Sequence, residues 1–320
     1  MLVIIAKMGG KSGGLIFDDS KHYIDHLAPF CAEQGWPLIV CEGTIAEMCN
    51  RYYPDLQVIQ QSIWDLQLPE TIVSCYPAKW LRSLFPSTAS KKLLWLPHGH
   101  SDKGWCQPSF EVLEKETALV YGHRMEEAIR VKNPHINTVR IGNFRLRYWK
   151  KQKNFYDRII QEELPPLQEK NTYLYAPTWK DREGNGSCDE FLEPLLYKLP
   201  PGFTLIIKPH PNTEHQRSAQ LRYWQMKWGR KKNVFFLSHF PPIYPLLDRC
   251  DAYIGDMSSI GYDYLYFDRP LYLFKSQKEH PLYQAAHLID HKTLPSIFSK
   301  KSSPNHLRKK IYKETFDHCV

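Results

Sequence analysis

The sequence predicts an α/β protein made of two doubly wound, Rossmann-like layers that face each other across a cleft. Three observations predict it. Short apolar runs alternate with helix-length amphipathic stretches from residue 2 to about residue 141, the pattern of a parallel sheet with crossover helices. The pattern breaks in a polar stretch containing Pro165-Pro166 and restarts at Asn171. The residues able to do chemistry collect where strands are expected to end, which is where ligands sit in such sheets.

Composition sets the outer bounds. A chain of 320 residues with 42% hydrophobic and 13% aromatic residues can bury a real core and is not disordered. No run approaches the roughly 20 apolar residues a membrane span needs. The apolar start, Met1 to Ala6, is too short for a signal peptide and lacks a basic flank, so a cytoplasmic protein is expected. Eight cysteines without a Cys-x-x-Cys pair argue against a zinc ribbon or a disulfide framework and for reduced thiols. A net charge of +8 suits nucleotides, phosphopolymers, nucleic acid or an anionic membrane face, and does not choose among them.

Residues 2–6 form the first apolar run. Lys7 to Gly14 then reads as a glycine-rich loop at the mouth of the cleft, with Gly9, Gly10, Lys11 and Ser12 as candidate acceptor or phosphate contacts. It is not a Walker A loop, because Ile5 stands where the first glycine belongs, and it does not fit Gly-x-Gly-x-x-Gly. A plain connection accounts for it equally well. His22, His26 and Phe30 recur four residues apart, as do Leu27 and Cys31, so His22 to Gly35 reads as a helix closed by glycine. Strands are expected at 37–41, 57–59, 71–75, 92–96, 117–121 and 137–141, with helices at 45–53, 77–85 and 124–132.

The restarted pattern predicts strands at 171–175, 203–208, 233–237, 252–254 and 271–274, and helices at 191–199, 216–229 and 243–248. From about residue 276 the chain is basic and aromatic, and reads as one or more terminal helices packing back on the first domain. The expected division is a first Rossmann-like domain over 1–145, a linker that includes a helix over 146–170, a second Rossmann-like domain over 171–275 and a helical tail over 276–320.

Four segments carry the candidate chemistry. In the stretch from Asp251 to Phe274, Gly255 closes a short strand, Asp256, Ser258 and Ser259 suit a helix N-terminus, and Arg269-Pro270 ends the helix. A helix N-terminus favours phosphate, although Ser-Ser caps are common on helices that bind nothing. In Pro97-His98-Gly99-His100-Ser101-Asp102-Lys103, His98 follows a strand directly and suits a general base, while Lys103 suits a phosphate. His-x-His-x-Asp supplies no third ligand of known position, so no metal is expected. Lys208-Pro209-His210-Pro211 holds a histidine between two prolines beside a cation. Ala176-Pro177-Thr178-Trp179-Lys180 places a hydroxyl and a cation at a strand end.

In this order the segments resemble the CDP-glycerol glycerophosphotransferases of teichoic acid synthesis, over roughly residues 93–275. The family's His-Gly-Thr-Pro-x-Lys is similar to His98 through Lys103, its Ala-Pro-Thr-Trp-Arg to Ala176 through Lys180, and its His-Pro to His210-Pro211. Its Asp-x-Ser-Ser-x-x-x-Asp with Arg-Pro following is similar to Asp256, Ser258, Ser259, Asp263, Arg269 and Pro270. The chain departs where His100-Ser101-Asp102 replaces Thr-Pro-x and where Lys180 replaces arginine.

The resemblance implies a glycosyltransferase-B type fold, with an acceptor-side first domain and a nucleotide-donor second domain. It implies CDP-glycerol as donor, no cofactor and no metal, attack of an acceptor hydroxyl on the β-phosphorus and release of CMP. His98 would be the base and His210 a contact to the donor pyrophosphate. Ser258, Ser259, Lys208, Thr178 and Lys180 would bind donor phosphates, with Asp256, Asp263 and Arg269 in support. The implied partners are a CDP-activated polyol, an envelope glycan or lipid-linked acceptor, and an anionic membrane surface rather than nucleic acid. Two other readings stand beside it: a nucleotide-sugar transferase or epimerase of the same fold, and a non-catalytic basic anion-binding protein, for which 145–158 and 222–232 interleave cations with aromatics.

Overall fold

The structure, a computed structural model, describes residues 12–102, 113, 116–164, 166–167, 171–180, 186–275, 279–299 and 305–317. The strand expected at 2–6, and Gly9, Gly10, Lys11 and Lys103, lie outside these residues. The chain divides into two compact units. Unit 1 runs to Gly99, resumes as far as Lys151 and takes the chain again from Thr315. Unit 2 takes His100 onward as a short insertion, then Gln152–Glu314.

Unit 1 has β1 (Ser12–Ile16), β2 (Leu38–Val40), β3 (Val58–Gln60), β4 (Thr71–Ser74), β5 (Lys92–Trp95), β6 (Thr117–Val120) and β7 (Asn137–Arg140). They lie in the order β3-β2-β1-β4-β5-β6-β7, and every pairing is parallel. Between them come α1 (Ile24–Gln34), α2 (Gly43–Tyr52), α3 (Ala78–Leu84) and α4 (His123–Lys132), and α5 (Phe144–Lys151) follows β7. Gly35 closes α1 at φ 66, as its position past the last apolar residue predicts. Leu15, Ile39, Ile72 and Leu93, from four adjacent strands, pack with Tyr76 and Leu81 in one cluster.

The glycine-rich loop expected through Gly14 is corrected at its end. Ser12, Gly13 and Gly14 belong to β1. A Cβ on Gly14 would stand 2.5 Å from Cys31 Sγ and 2.7 Å from Leu38 Cδ1, so this glycine serves close packing of α1 and β2 rather than a ligand.

Unit 2 has β8 (Thr172–Tyr175), β9 (Thr204–Ile207), β10 (Val234–Phe236), β11 (Ala252–Gly255), β12 (Leu271–Phe274) and β13 (His287–Ile289), in the order β10-β9-β8-β11-β12-β13, again wholly parallel. Its helices are α6 (Lys153–Glu163), α7 (Cys188–Lys198), α8 (Pro211–Gln216), α9 (Ser218–Trp228), α10 (Tyr244–Arg249), α11 (Ser259–Tyr264) and α12 (Leu307–Phe316), the last ending in unit 1. Leu192, Leu195, Leu205, Ile207, Trp224 and Ile254 lie in one buried cluster.

The stretch at 146–170, expected to hold a helix and a linker, carries the end of α5 and all of α6, because Tyr148, Trp149, Tyr156 and Ile160 are buried and need a packed face. One segment differs from the expected plan. The tail expected as helical contains β13, paired with β12, since a parallel sheet edge accepts any short extended segment that satisfies its ladder. The last described residues pack on unit 1. Gly122 leaves room for Thr315, whose carbonyl oxygen would be 2.4 Å from a Cβ there, and the His123 N–H donates to Asp317 at 3.1 Å. Among the described residues, no helix is long and apolar enough to cross a membrane.

Candidate functional site

In unit 2 the strand order reverses between β8 and β11, so the loops after these strands open at the switch point of the sheet. Pro177 lacks an N–H and ends β8. Ala176-Pro177-Thr178-Trp179-Lys180 then leaves the sheet with Thr178 buried and Lys180 exposed. Beside it, β9 is followed by Lys208-Pro209-His210, and the Lys208 N–H still donates to the Tyr175 carbonyl at 2.9 Å. His210 is the N-cap of α8, with Pro211 in the first turn. Its Nδ1 accepts the Asn212 N–H at 3.1 Å. A neutral imidazole with Nδ1 so engaged carries its proton on Nε2, which is then a hydrogen-bond donor.

The loop after β11 is tied down from two sides. The buried Asp256 carboxylate accepts the Ser187 N–H at 2.6 Å and the Ser187 hydroxyl at 3.1 Å, and the Tyr175 hydroxyl stands 2.8 Å from that serine oxygen. The serine proton goes to the carboxylate, so Tyr175 donates to Ser187. Asp256 therefore braces the loop that ends at Ser187. In that loop Gly186 has φ 112, and a Cβ would lie 2.8 Å from the Lys180 nitrogen. On the other side, the Tyr253 hydroxyl donates to the Ala176 carbonyl at 3.1 Å and lies 3.3 Å from Ser258 Oγ. Thus Thr178, Lys180, Ser258 and His210 lie in the loops that follow the adjacent strands β8, β9 and β11, with Ser259 opening α11.

Asp263 accepts the Tyr244 hydroxyl at 2.7 Å. The Arg269 guanidinium donates to the carbonyls of Asp248 at 2.7 Å and Cys250 at 2.8 Å, at the end of α10 and before β11 begins. Arg269 therefore serves the amino edge of this sheet, opposite the loops. Unit 2 also holds the insertion after Gly99. The Tyr262 hydroxyl donates to the Asp102 carboxylate, and the His100 ring meets Tyr262 edge-on at 4.6 Å. The sequence departs from the family pattern at these same positions.

In unit 1, His98 is exposed at the carboxyl end of β5, and Gly99 turns the chain at φ 105. Its ring stands 5.5 Å from His22, 5.3 Å from Tyr23 and 6.5 Å from His26, centroid to centroid. His26 Nδ1 lies 2.9 Å from the Tyr121 hydroxyl. His22 keeps an exposed edge, yet burial of its ring pushes it down to about 4. Burial lowers His26 well below its ordinary value, and the charges of Arg145, His98 and His22 act the same way. Ser12 pairs with Thr71 at the amino end of β1, away from these residues. Among the described residues, no group of three or more His, Cys, Asp or Glu side chains is placed to hold a metal ion.

The two stretches that suggested a basic binding face are largely spent on packing. In 145–158, Tyr148, Trp149 and Tyr156 are buried, and Arg145 is paired with Asp25. In 222–232, Trp224 and Trp228 are buried and Lys227 is paired with Glu193 at 2.6 Å. Sequence reasoning missed Tyr253, Ser187, Tyr262 and the His22–His26 pair. Tyr253 reads as an ordinary strand residue, and only the glycine two residues after it hinted at close approach. The four-residue spacing of His22 and His26 was visible, but not their meeting with His98.

The family described as CDP-glycerol:poly(glycerophosphate) glycerophosphotransferase matches residues 135–295. No curated protein sequence matches the chain significantly. Among solved structures, the wall teichoic acid polymerase TagF is similar at a TM-score of 0.65 and 14% identity, over 96% of this chain and 84% of that one. The UDP-GlcNAc 2-epimerase of Neisseria meningitidis bound to UDP-GlcNAc is similar at 0.61 and 10%, over 95% and 94%. HepE of Anabaena in complex with UDP-glucose is similar at 0.53 and 12%, over 96% of both chains. At these identities the likeness is one of fold, the glycosyltransferase-B type.

Proposed function

We propose, since this chain belongs to the CDP-glycerol:poly(glycerophosphate) glycerophosphotransferase family, that it transfers glycerol phosphate, or a related polyol phosphate, from a CDP-activated donor to a hydroxyl of an envelope acceptor. The observation that carries this reading is the set of donors at the switch point of unit 2. His210 presents Nε2–H because its Nδ1 is held by the Asn212 N–H. Thr178 and Lys180 follow β8, Lys208 follows β9, and Ser259, held next to Ser258, opens α11. Such an array holds a pyrophosphate by charge and hydrogen bonds without requiring a metal.

In the proposed step the acceptor oxygen forms a bond to the β-phosphorus. The bond from that phosphorus to the bridging oxygen breaks, and CMP leaves with the bridging oxygen. The acceptor proton passes to a base, for which His98 is the proposed residue. His22 and His26 keep its surroundings free of extra imidazolium charge near pH 7. His210 and the hydroxyls neutralise charge as CMP departs. An envelope acceptor would bring the protein, with its net charge of +8, to an anionic membrane face.

The test is thermal stabilisation by CMP, CDP-glycerol, UDP and UDP-glucose, followed by an assay for CMP release with glycan and polyol-phosphate acceptors. Ligands that bind the folded state raise its midpoint by mass action. Stabilisation by the cytidine compounds with CMP release supports the reading. Stabilisation by the uridine compounds alone moves it to nucleotide-sugar chemistry, which the likeness to two UDP-sugar complexes makes the second reading. No response to any of the four leaves the anion-binding reading.

A further inference from the structure

We infer that the two adjacent serines at the switch point of unit 2 have different roles: Ser259 offers its hydroxyl to the donor phosphates, while Ser258 is a positioning residue whose proton is committed to Tyr253. This rests on the donor-site reading above and deepens it.

The assignment follows from counting protons. The Tyr253 hydroxyl has one proton, and the Ala176 carbonyl at 3.1 Å can only accept. That proton therefore lies between Tyr253 and Ala176. The remaining contact of the phenol, to Ser258 Oγ at 3.3 Å, must then be donated by the serine. Ser258 spends its only proton inward and turns lone pairs to any ligand. A phosphate oxygen needs a donor, so this orientation is the wrong one for it. Ser258 is buried, and its side chain makes no cap bond to α11. Ser259 is more exposed and begins the helix.

The relay is built into the sheet. Tyr253 is fully buried in β11, and its ring packs against Tyr264 at 5.6 Å. Burial raises its phenol, as do the charges of Asp256 and Asp263, so it keeps its proton across the working pH range. A Cβ on Gly255 would lie 2.3 Å from the Tyr253 oxygen, so glycine is what lets the phenol reach both loops. Tyr253 thereby joins the loop carrying Thr178 to the loop carrying Ser258, and fixes the spacing of two sets of donor contacts.

The test compares CDP-glycerol binding, by calorimetry, in the wild type and in Ser259→Ala, Ser258→Ala, Tyr253→Phe and the Tyr253→Phe/Ser258→Ala double variant. Loss of a hydrogen bond to a charged group is expected to weaken Ser259→Ala by roughly tenfold or more. Ser258→Ala and Tyr253→Phe are each expected to weaken binding less, and the double variant no more than the weaker-binding single one, because both act through one contact. The assignment is overturned if Ser258→Ala costs as much as Ser259→Ala, or if the two relay substitutions add fully. Thermal melts check that each variant folds, and Ser258→Thr, which keeps the hydroxyl, is expected to restore most of the affinity. A wild type that does not bind CDP-glycerol removes the donor reading instead. UDP-glucose and inorganic pyrophosphate then serve as probes for the same comparison, and failure of all three removes this assignment too.

Discussion

The hydroxyl of Tyr262 donates to the carboxylate of Asp102 across a sequence separation of 160 residues, and the His100 ring lies edge-on to the same tyrosine at 4.6 Å. Both partners are buried. Removing the phenol oxygen takes a donor from a buried carboxylate, so Tyr262→Phe is expected to destabilise unit 2 by about 1–3 kcal/mol. Asp102→Asn keeps an acceptor oxygen and is expected to cost less. Urea unfolding of the three proteins decides it. Equal midpoints for wild type and Tyr262→Phe would show that the contact contributes nothing.

His210 has two jobs that substitution can separate. Its Nδ1 caps α8, which leaves the ring proton on Nε2, the atom proposed to meet the donor. Asparagine is a good cap but has no group in the place of Nε2. His210→Asn is therefore expected to stay within about 0.5 kcal/mol of wild-type stability while losing roughly a hundredfold in turnover. His210→Ala should lose the same activity and about 1 kcal/mol in addition. Near-normal turnover in the asparagine variant would remove His210 from the mechanism.

The histidines beside His98 predict how unit 1 responds to acid. His22 is pushed down to about 4 by burial, from an ordinary 6.5, and His26 is held well below that ordinary value by burial and by the charges of Arg145, His98 and His22. Between pH 6.5 and about 4 the unfolded chain binds protons that these folded rings refuse. Their contribution is thus complete above pH 6.5 and declines as pH falls through that window, with a slope of at most ~1.4 kcal/mol per pH unit for each group. Unfolding midpoints measured from pH 7.5 to 4 should fall accordingly, and His22→Asn should make the fall shallower. An unchanged slope in that variant would show that His22 titrates normally in the folded state.

Gly255 is expected to tolerate no side chain. Its Cβ would meet Tyr253 Oη at 2.3 Å, Cζ at 2.6 Å and Cε1 at 2.8 Å. Gly255→Ala is expected to cost about 1–3 kcal/mol, as overpacking of a filled core does. Tyr253→Phe in the same chain should recover only part of that loss, because two ring carbons still clash. Full recovery, read from thermal melts, would place the conflict at the hydroxyl alone.

Much of the fold was legible because the signals for it are local. Alternating apolar runs predicted every strand from β2 to β12 to within a few residues, and Gly35, Pro77 and Pro209 marked where elements begin and end. The loops around His98, Thr178, His210 and Ser258 were found at strand ends for the same reason, since a strand and the residue that stops it are neighbours in the chain. β13 was not legible. Its three residues, His287–Ile289, carry no strand signature of their own and become a strand only because β12 offers an edge.

By itself the sequence determined the order of elements, the α/β class and the four segments that carry the family likeness, because each depends on residues a few positions apart. Only the tertiary structure decided what those segments are attached to. Ser187 braces Asp256 from 69 positions away, Tyr253 reaches Ala176 across 77, and Asp102 meets Tyr262 across 160. Hydrogen bonds at such separations depend on how two strands or a strand and a helix are packed, which no local pattern encodes. The single proton of a tyrosine could therefore be assigned, and the roles of Ser258 and Ser259 told apart, only once its two partners had been brought within reach.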